Sequence, residues 1–391
     1  MSETINFDEQ IDRIGTHSIK WDMMETYYGL KPEESLPMWV ADMDFKPPQA
    51  VKNALQGSVD HGVHGYFGGD TEHYQAVMGW MQKRHNWTVD ESWISTVHGL
   101  IQGTAMCVQA YTKPGEGVIL FTPVYHAFAR IIKANDREVI ESPLEIQDGI
   151  YRMNLDLLAS QLKGHEKLMI LCSPHNPGGR VWTVEELKAV ADFCVEHDLV
   201  LVSDEIHHDL VFSGVIHTVM PLAAPEISSR LVMLTAGSKT FNIAGGLTGN
   251  VIIEDKALRQ KFLKVHAASG TSPTRYGVLM ATAAYSQGEE WLESLLVYLD
   301  ENRRLLDEGL SSIDGVVSMP MASTYLAWVD FSGTGLSTAE VINKVQKEAK
   351  IATNVGSMFG SGGDGYLRFN FACRREVIEQ AVERLKKVFA S

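Results

Sequence analysis

Four short apolar runs, separated by stretches with helical spacing, constrain the fold of this chain most strongly. They occupy residues 118–121, 168–172, 199–202 and 231–234. None of them alternates with polar residues, which is typical of strands buried on both faces of a parallel sheet. Between the second and third runs, Thr183 and Glu186 have the spacing of a capping box at the start of an amphipathic helix. The pattern predicts an α/β fold with a mostly parallel central sheet.

The C-terminal third has a different pattern, which predicts a smaller α+β unit. Residues 366–371 alternate strictly, like a strand with one apolar face, and apolar residues within 377–388 recur at helical spacing. The glycine-rich stretch at 360–365 precedes that strand, and we interpret it as a flexible connection or lid.

Composition excludes several classes of partner. The 391 residues carry 34 Lys and Arg against 49 Asp and Glu, a net charge of −15, which argues against nucleic acid and anionic membrane surfaces. We find no apolar run of ~18 residues that could span a bilayer. The polar, acidic N-terminus is unlike a signal peptide. The 4 cysteines are scattered and form no CxxC pair, which indicates buried reduced thiols in a cytoplasmic protein.

Polar residues follow each of the four apolar runs, where ligands bind in open α/β sheets. Tyr125, Asn176, Asp204 and Lys239 come after successive runs. A lysine can form a Schiff base with an aldehyde, and a carboxylate beside a pyridine nitrogen keeps that nitrogen protonated. The protonated ring then withdraws electrons from a carbanion, which is the role of pyridoxal phosphate. The set therefore suits a charged heteroaromatic ligand that forms an imine.

A phosphate site is indicated at residues 98–103, where two glycines precede an apolar, alanine-containing helix. Backbone N–H groups at the start of a helix can hold a dianion. An ordinary strand-to-helix turn explains the same glycines equally well.

Taken together, these motifs resemble those of fold-type I pyridoxal phosphate enzymes, the class I/II aminotransferase superfamily. The resemblance rests on residues 238–245 (SKTFNIAG), 176–180 (NPGGR) and 204–207 (DEIH) in this order. Residues 37–45 (PMWVADMDF), 175–182 (HNPGGRVW) and 323–328 (STYLAW) are similar to the MalY/PatB subfamily, the cystathionine β-lyase branch. The likeness covers essentially the whole chain. It implies a large domain with a mostly parallel sheet and a smaller α+β domain.

The resemblance implies a role for each residue around the cofactor ring. Lys239 would bind pyridoxal 5'-phosphate as a Schiff base and shuttle the substrate α-proton. Asp204 would pair with the pyridine nitrogen, and Asn176 would hold the ring hydroxyl with help from His207. Tyr125 would stack on the ring, and we count it with Lys239 as catalytic.

The same resemblance assigns the phosphate and the subunit contact. Gly99, Leu100 and Ile101 would offer backbone donors to the phosphate, with Ser238 as a further donor. Tyr66 would reach into the site of a neighbouring subunit, which implies a homodimer with the active site at the subunit interface.

Arg368 would bind the substrate α-carboxylate through two hydrogen bonds, which lysine does not reproduce. The alternation at 366–371 supports this role, because it places Arg368 on the polar face of its strand, where it would face the cleft. The sequence departs from many aminotransferases at Leu247, where they have an arginine that binds phosphate. That departure fits the lyase branch and leaves the charge partner of the phosphate open.

We therefore predict a cytoplasmic homodimeric lyase that cleaves L-cystathionine or a related cysteine S-conjugate to pyruvate, ammonia and a thiol. An aminotransferase on the same scaffold and a cofactor-binding regulatory protein are the alternatives. The predicted division is an N-terminal segment 1–48 that joins the small domain, a large domain 49–285 and a small domain 286–391. We expect no metal site, because His207, His208 and Asp209 lack the spacing of a helical zinc site.

Overall fold

The fold is taken from a computed structural model that describes residues 5–390. The strands are β1 (Leu36–Pro37), β2 (Ile94–Val97), β3 (Gly117–Thr122), β4 (Glu138–Pro143), β5 (Glu145–Gln147), β6 (Ile150–Arg152), β7 (Glu166–Cys172), β8 (Val200–Asp204), β9 (Leu231–Thr235), β10 (Gly249–Ile252), β11 (Val317–Ser318), β12 (Leu326–Asp330), β13 (Ile351–Ala352), β14 (Asn354–Val355) and β15 (Tyr366–Asn370). The helices are α1 (Ile19–Asp22), α2 (Met24–Tyr28), α3 (Gln49–His61), α4 (Thr71–His85), α5 (Leu100–Tyr111), α6 (Ala127–Ala134), α7 (Leu155–Gln161), α8 (Val184–Glu196), α9 (Met220–Ala223), α10 (Gly237–Thr240), α11 (Lys256–Ser269), α12 (Arg275–Gln287), α13 (Glu289–Ser311), α14 (Thr338–Ile342) and α15 (Arg375–Phe389).

The central sheet has the strand order β2-β10-β9-β8-β7-β3-β4. The four strands predicted from the apolar runs are β3, β7, β8 and β9, and each pairs in parallel with its neighbours in this group. The sequence patterns did not reveal β2, β4 or β10. Of these, β10 runs antiparallel to both β2 and β9, so the sheet is mixed at one edge. The predicted α/β class with a mostly parallel sheet is confirmed.

Both faces of the central sheet are buried, as the lack of polar alternation predicted. Every residue of β3 and β9 is buried. Alternate side chains of the parallel strands enter two separate apolar clusters, one on each face of the sheet. Helix α8 begins at the predicted capping box of Thr183 and Glu186, and its apolar face packs into one of these clusters. The helices thus cover the faces and leave the carboxyl edge of the strands for a ligand.

The smaller unit contains an antiparallel sheet with the order β11-β12-β15-β14. The predicted strand at 366–371 corresponds to β15, and the predicted C-terminal helix corresponds to α15, which packs against α13. Unlike a strand with one exposed face, β15 is buried along its whole length. Strand β1 pairs in parallel with β13, so the N-terminal segment is joined to this unit.

The glycine-rich stretch at 360–365 forms a compact turn rather than an open, lid-like connection. A Cβ at Gly363 would lie 2.1 Å from the carbonyl oxygen of Gly356, and Gly360 has a φ of +97°. The glycines are therefore explained by close backbone approach at this turn.

The described residues also bear on two expectations from composition. All 4 cysteines are buried free thiols, as predicted. Within residues 5–390, none of the helices combines the length and apolar character needed to cross a bilayer.

Candidate active site

The carboxyl ends of four adjacent parallel strands bring the predicted polar residues to one edge of the sheet. Tyr125 follows β3, Asn176 follows β7, Asp204 ends β8, and Lys239 lies in α10 directly after β9. Because these strands are parallel neighbours, their carboxyl ends meet at the same edge. The charge of Asp204 acts on the pKa values of both Tyr125 and Lys239, which agrees with a shared site.

Asp204 is a buried carboxyl group that forms no salt bridge with any described residue. Burial raises its pKa to about 7, because a carboxylate loses hydration inside the protein. Its Oδ1 atom accepts a hydrogen bond from the Ile206 amide at 3.2 Å. Among residues 5–390, no lysine, arginine or histidine forms a salt bridge with it. A cationic ligand group placed against this carboxylate would be strongly stabilised.

Lys239 has an amine that is easily deprotonated. Burial lowers its pKa to about 8, while Asp42 and Asp204 act in the opposite direction. Its Nζ atom donates a hydrogen bond to the Ala41 carbonyl oxygen at 2.6 Å. A lysine with a pKa near neutrality can serve as a nucleophile and as a base.

Arg368 lies in the middle of β15, between β12 and β14, and is 3% exposed. Its Nη1 donates to Asn176 Oδ1 at 3.0 Å, and its Nη2 donates to the Trp39 carbonyl oxygen at 3.0 Å and Asn354 Oδ1 at 2.7 Å. Its Nε makes no hydrogen bond to any described residue. Burial lowers the pKa to about 10, so the guanidinium remains a cation at neutral pH. The side chain is held rigidly and still has N–H groups for an anion.

Three further predicted residues lie around the same edge. The Asn176 oxygen is occupied by Arg368, so its amide nitrogen is the group left for a ligand. His207 is 2% exposed, its Nδ1 has no partner among the described residues, and burial lowers its pKa well below the ordinary value. Its imidazole is therefore neutral and can hydrogen-bond a ligand oxygen. Tyr125 packs edge-on against Phe128, with ring centroids 5.5 Å apart.

The predicted phosphate donors lie at the start of α5, which is capped by Gly99 with a φ of +81°. The Gly99 amide differs from the expectation, because it donates to the Val97 carbonyl oxygen at 2.8 Å and is not free. Leu100 and Ile101 are the first two residues of the helix, where backbone N–H groups lack partners within the helix. Two of the three predicted donors thus remain available.

Ser238 and Leu247 lie near the predicted phosphate site, whereas the predicted interface residue Tyr66 lies on the surface. Ser238 donates its hydroxyl to the Thr248 carbonyl oxygen at 3.3 Å, a long bond that a ligand could replace. Leu247 is 46% exposed and lies beside Gly99, so an apolar side chain flanks the proposed phosphate site. Tyr66 is fully exposed, so this single chain does not bury it in a site.

A buried hydrogen-bond network supports the turn that carries Lys239. Asp209 accepts hydrogen bonds from Trp80 Nε1 at 3.1 Å, His85 Nε2 at 2.9 Å and Thr240 Oγ1 at 2.7 Å. The ligand atoms of His85, His208 and Asp209 lie close enough to one another that they could hold a metal ion. Protein donors already engage both Asp209 oxygens, so we interpret this carboxylate as a structural support for α10. The expected absence of a metal stays a prediction.

Sequence reasoning missed the Ala41 carbonyl and Tyr325. The Tyr325 hydroxyl donates to the Ala41 oxygen at 2.9 Å, so this oxygen serves both Tyr325 and Lys239. Both residues lie in motifs that carried the family resemblance, at 37–45 and 323–328. Those motifs could have drawn attention to both residues. A backbone carbonyl that accepts a hydrogen bond, however, has no signature of its own in a sequence.

Known proteins resemble this chain over nearly its whole length. PatB from Bacillus subtilis (strain 168), named a cystathionine β-lyase, is 38% identical over 385 residues, which cover 98% of this chain and 99% of the relative. MalY from Escherichia coli (strain K12) is 32% identical over 386 residues, with 97% of each chain covered. The structure of cystalysin from Treponema denticola, which contains a pyridoxal 5'-phosphate cofactor, superposes with a TM-score of 0.94 at 34% identity and covers 99% of both chains.

The family comparison gives the same result from the sequence. Residues 36–385 match the family described as aminotransferase class I and II. The match includes both β1 and most of α15, and so spans the central sheet, the smaller sheet and the site between them. The chain belongs to the class I and II aminotransferase family.

Proposed function

We propose that this protein is a pyridoxal phosphate-dependent carbon–sulfur β-lyase that cleaves L-cystathionine or related cysteine S-conjugates to pyruvate, ammonia and a thiol. One observation carries the proposal. The reactive amine of Lys239 lies within the electrostatic influence of both the buried Asp204 carboxyl and the Arg368 guanidinium. The cystathionine β-lyase name of PatB and the cofactor in the cystalysin structure support the assignment.

The residues present fit the cofactor. Burial raises the pKa of Asp204 to about 7, and this carboxyl forms no salt bridge with a described residue, so a protonated pyridine nitrogen would supply a cation against it. Asn176 and His207 would hold the ring hydroxyl, and Tyr125 would stack on the ring. The start of α5, with Ser238, would hold the phosphate. When bound, pyridoxal phosphate withdraws electrons from the substrate carbon that loses its proton.

The chain's own residues then perform three tasks. Arg368 binds the substrate α-carboxylate through N–H groups that its protein partners leave unused, and so fixes the α-carbon. Lys239, as a neutral amine, removes the proton from that carbon as a general base. The bond between the β-carbon and sulfur breaks, the electron pair leaves with the sulfur, and the Lys239 ammonium supplies a proton to the thiolate. The released aminoacrylate takes up water to give pyruvate and ammonia.

Two further proposals concern the oligomeric state of the protein and its location in the cell. We propose a homodimer in which Tyr66 completes the neighbouring site. Its full exposure, together with that of Val63 and Val59 nearby in the sequence, supports a partner surface there. We also propose a cytoplasmic location, which the buried free thiols support.

The proposed domain division follows from the connections. The N-terminal segment 1–48 would belong with the small domain, which the pairing of β1 with β13 supports. The boundary between 285 and 286 lies in the last turn of α12, close to the Gly288 that separates α12 from α13.

Replacing Lys239 tests the catalytic assignment. Lys239→Ala should abolish lyase turnover and the visible absorbance of the lysine-bound cofactor. Lys163→Ala, which removes a 70% exposed side chain, is the matched control and should change neither. Retention of both properties in Lys239→Ala contradicts the proposal.

Subunit complementation tests the shared site. Lys239→Ala and Tyr66→Ala subunits are each expected to be inactive as homodimers. A mixed dimer contains one site with Lys239 from one subunit and Tyr66 from the other, so mixing should restore activity. Failure to restore activity in dimers shown to have exchanged subunits contradicts the sharing of Tyr66.

A further inference from the structure

The backbone that holds the Lys239 amine is fixed from several sides. The Ala41 oxygen accepts hydrogen bonds from Lys239 Nζ at 2.6 Å and from the Tyr325 hydroxyl at 2.9 Å. Asn370 Nδ2 donates to the carbonyl oxygens of Val40 and Asp42, each at 2.6 Å. The carbonyls on either side of Ala41 are therefore hydrogen-bonded to β15. The Ala41 oxygen is consequently held in a fixed position as the acceptor for the Lys239 amine.

Asp42, the next residue, has a carboxylate with one oxygen unused. Its Oδ2 pairs with Arg13 Nη2 at 2.8 Å. Its Oδ1 is buried and accepts no hydrogen bond from any described residue. Lys20 Nζ lies 4.0 Å from Oδ1 and is engaged by Asp44 at 2.8 Å. A buried oxygen in this state favours a positive charge near it.

Several charged and titratable groups act on the pKa of Lys239, and among them Asp42 raises it most. Burial has the largest effect and lowers the pKa of Lys239. Asp42 is the stronger of the two carboxylates that oppose it. The other, Asp204, has a pKa raised to about 7 and so carries only part of its charge near neutrality. Arg368 repels the ammonium, and His207 is neutral because burial lowers its pKa.

We propose that Asp42 is a positioning residue for Lys239. Its part-buried carboxylate, with Oδ1 buried, stabilises the protonated amine where the amine donates to Ala41, and so sets the pH at which Lys239 becomes reactive. Arg13 attenuates this effect, because it neutralises the other carboxylate oxygen. The proposal rests on the proposed role of Lys239, and neither the strand-end argument nor the family comparison assigns Asp42 a part.

The test measures the reactivity of the Lys239 amine in the cofactor-free protein. Acetic anhydride labels neutral amines, and mass spectrometry of the Lys239 peptide gives the labelling rate at each pH relative to an exposed lysine. Asp42→Asn should shift the midpoint of this profile down by about one pH unit, a tenfold rise in the neutral fraction at a fixed lower pH. Asp42→Glu retains the charge and should largely restore the wild-type midpoint.

Two further variants separate charge from structural damage. Arg13→Gln removes the attenuating cation and should move the midpoint upward, opposite to Asp42→Asn. Glu9→Gln removes a charge from the same N-terminal segment at an exposed ion pair with Lys46 and should leave the midpoint unchanged. General disturbance of the segment would move the midpoint in the same direction in Asp42→Asn and Arg13→Gln.

The outcomes are decisive in either direction. An Asp42→Asn midpoint equal to wild type, or equal shifts in Asp42→Asn and Asp42→Glu, overturns the proposal. If Asp42→Asn does not fold, the same measurement on Asp42→Ser, which also removes the charge, decides. The labelling needs neither cofactor nor turnover, so its result is independent of whether the protein proves to be a lyase.

Discussion

The proposed carboxylate site predicts a large effect of replacing Arg368 by lysine. The guanidinium has five N–H groups, and three of them are engaged by the oxygens of Asn176, Trp39 and Asn354. Nε and the second N–H of Nη1 remain for a substrate carboxylate. An ammonium group has three donors on one nitrogen, so it cannot serve these three acceptors and also bind a carboxylate in the same geometry.

The magnitude follows from the hydrogen bonds that are lost. A hydrogen bond to a charged group contributes about 1.5–3 kcal/mol, and the variant loses one to two such bonds to the substrate. A loss of about 3 kcal/mol corresponds to a decrease of roughly 100-fold in kcat/KM. Because the carboxylate is bound before and during the reaction, most of the decrease should appear as a higher KM.

Steady-state pyruvate production from L-cystathionine measures this effect. Arg374→Lys is the matched control, because Arg374 forms a surface ion pair with Glu376 and should tolerate the change. A substrate analogue without the α-carboxylate provides a second control, and Arg368→Lys should process it as the wild type does. A kcat/KM for L-cystathionine within about threefold of wild type refutes the reasoning, because that difference is worth under 1 kcal/mol.

Two further predictions concern stability. Asp209→Asn leaves one of the donors on Trp80, His85 and Thr240 without an acceptor and should lower the stability by about 3 kcal/mol. At about 2.1 cal/mol/K per residue, this corresponds to a Tm lower by about 4 °C in calorimetry, and an unchanged Tm contradicts the network. Asp204→Asn should instead raise the Tm of the cofactor-free protein at about pH 8, since a carboxyl whose folded pKa is raised destabilises the fold when ionised. This gain should grow between about pH 4 and pH 7 and then level off, and a gain that is constant with pH contradicts the raised pKa.

Much of the fold is determined by local patterns that a sequence displays. The four central strands are predictable because burial on both faces requires continuous apolar runs, and α8 because Thr183 and Glu186 form its cap. By contrast, β4 lies at the sheet edge with a single fully buried residue, and β10 is short. Neither strand has a pattern strong enough to distinguish it from a loop.

The candidate site likewise contains some residues that the sequence could predict and others that it could not. Asp204 and Lys239 are predictable because their side chains follow recognisable strands. The Ala41 carbonyl is not, since every residue has a carbonyl and only the folded chain shows which one faces Lys239. The bond from the Gly99 amide to Val97 could not be predicted for a related reason, because it is a feature of backbone geometry. The glycines at 360–365 also depend on tertiary contacts, namely the approach of Gly363 to Gly356.

A product assay with purified, cofactor-loaded protein tests the central claim most directly. The protein is given L-cystathionine with no keto acid present. A lyase needs no second substrate, so we predict continuous formation of pyruvate and a free thiol in equal amounts. Turnover that begins only after a keto acid is added would contradict the account and identify the protein as an aminotransferase.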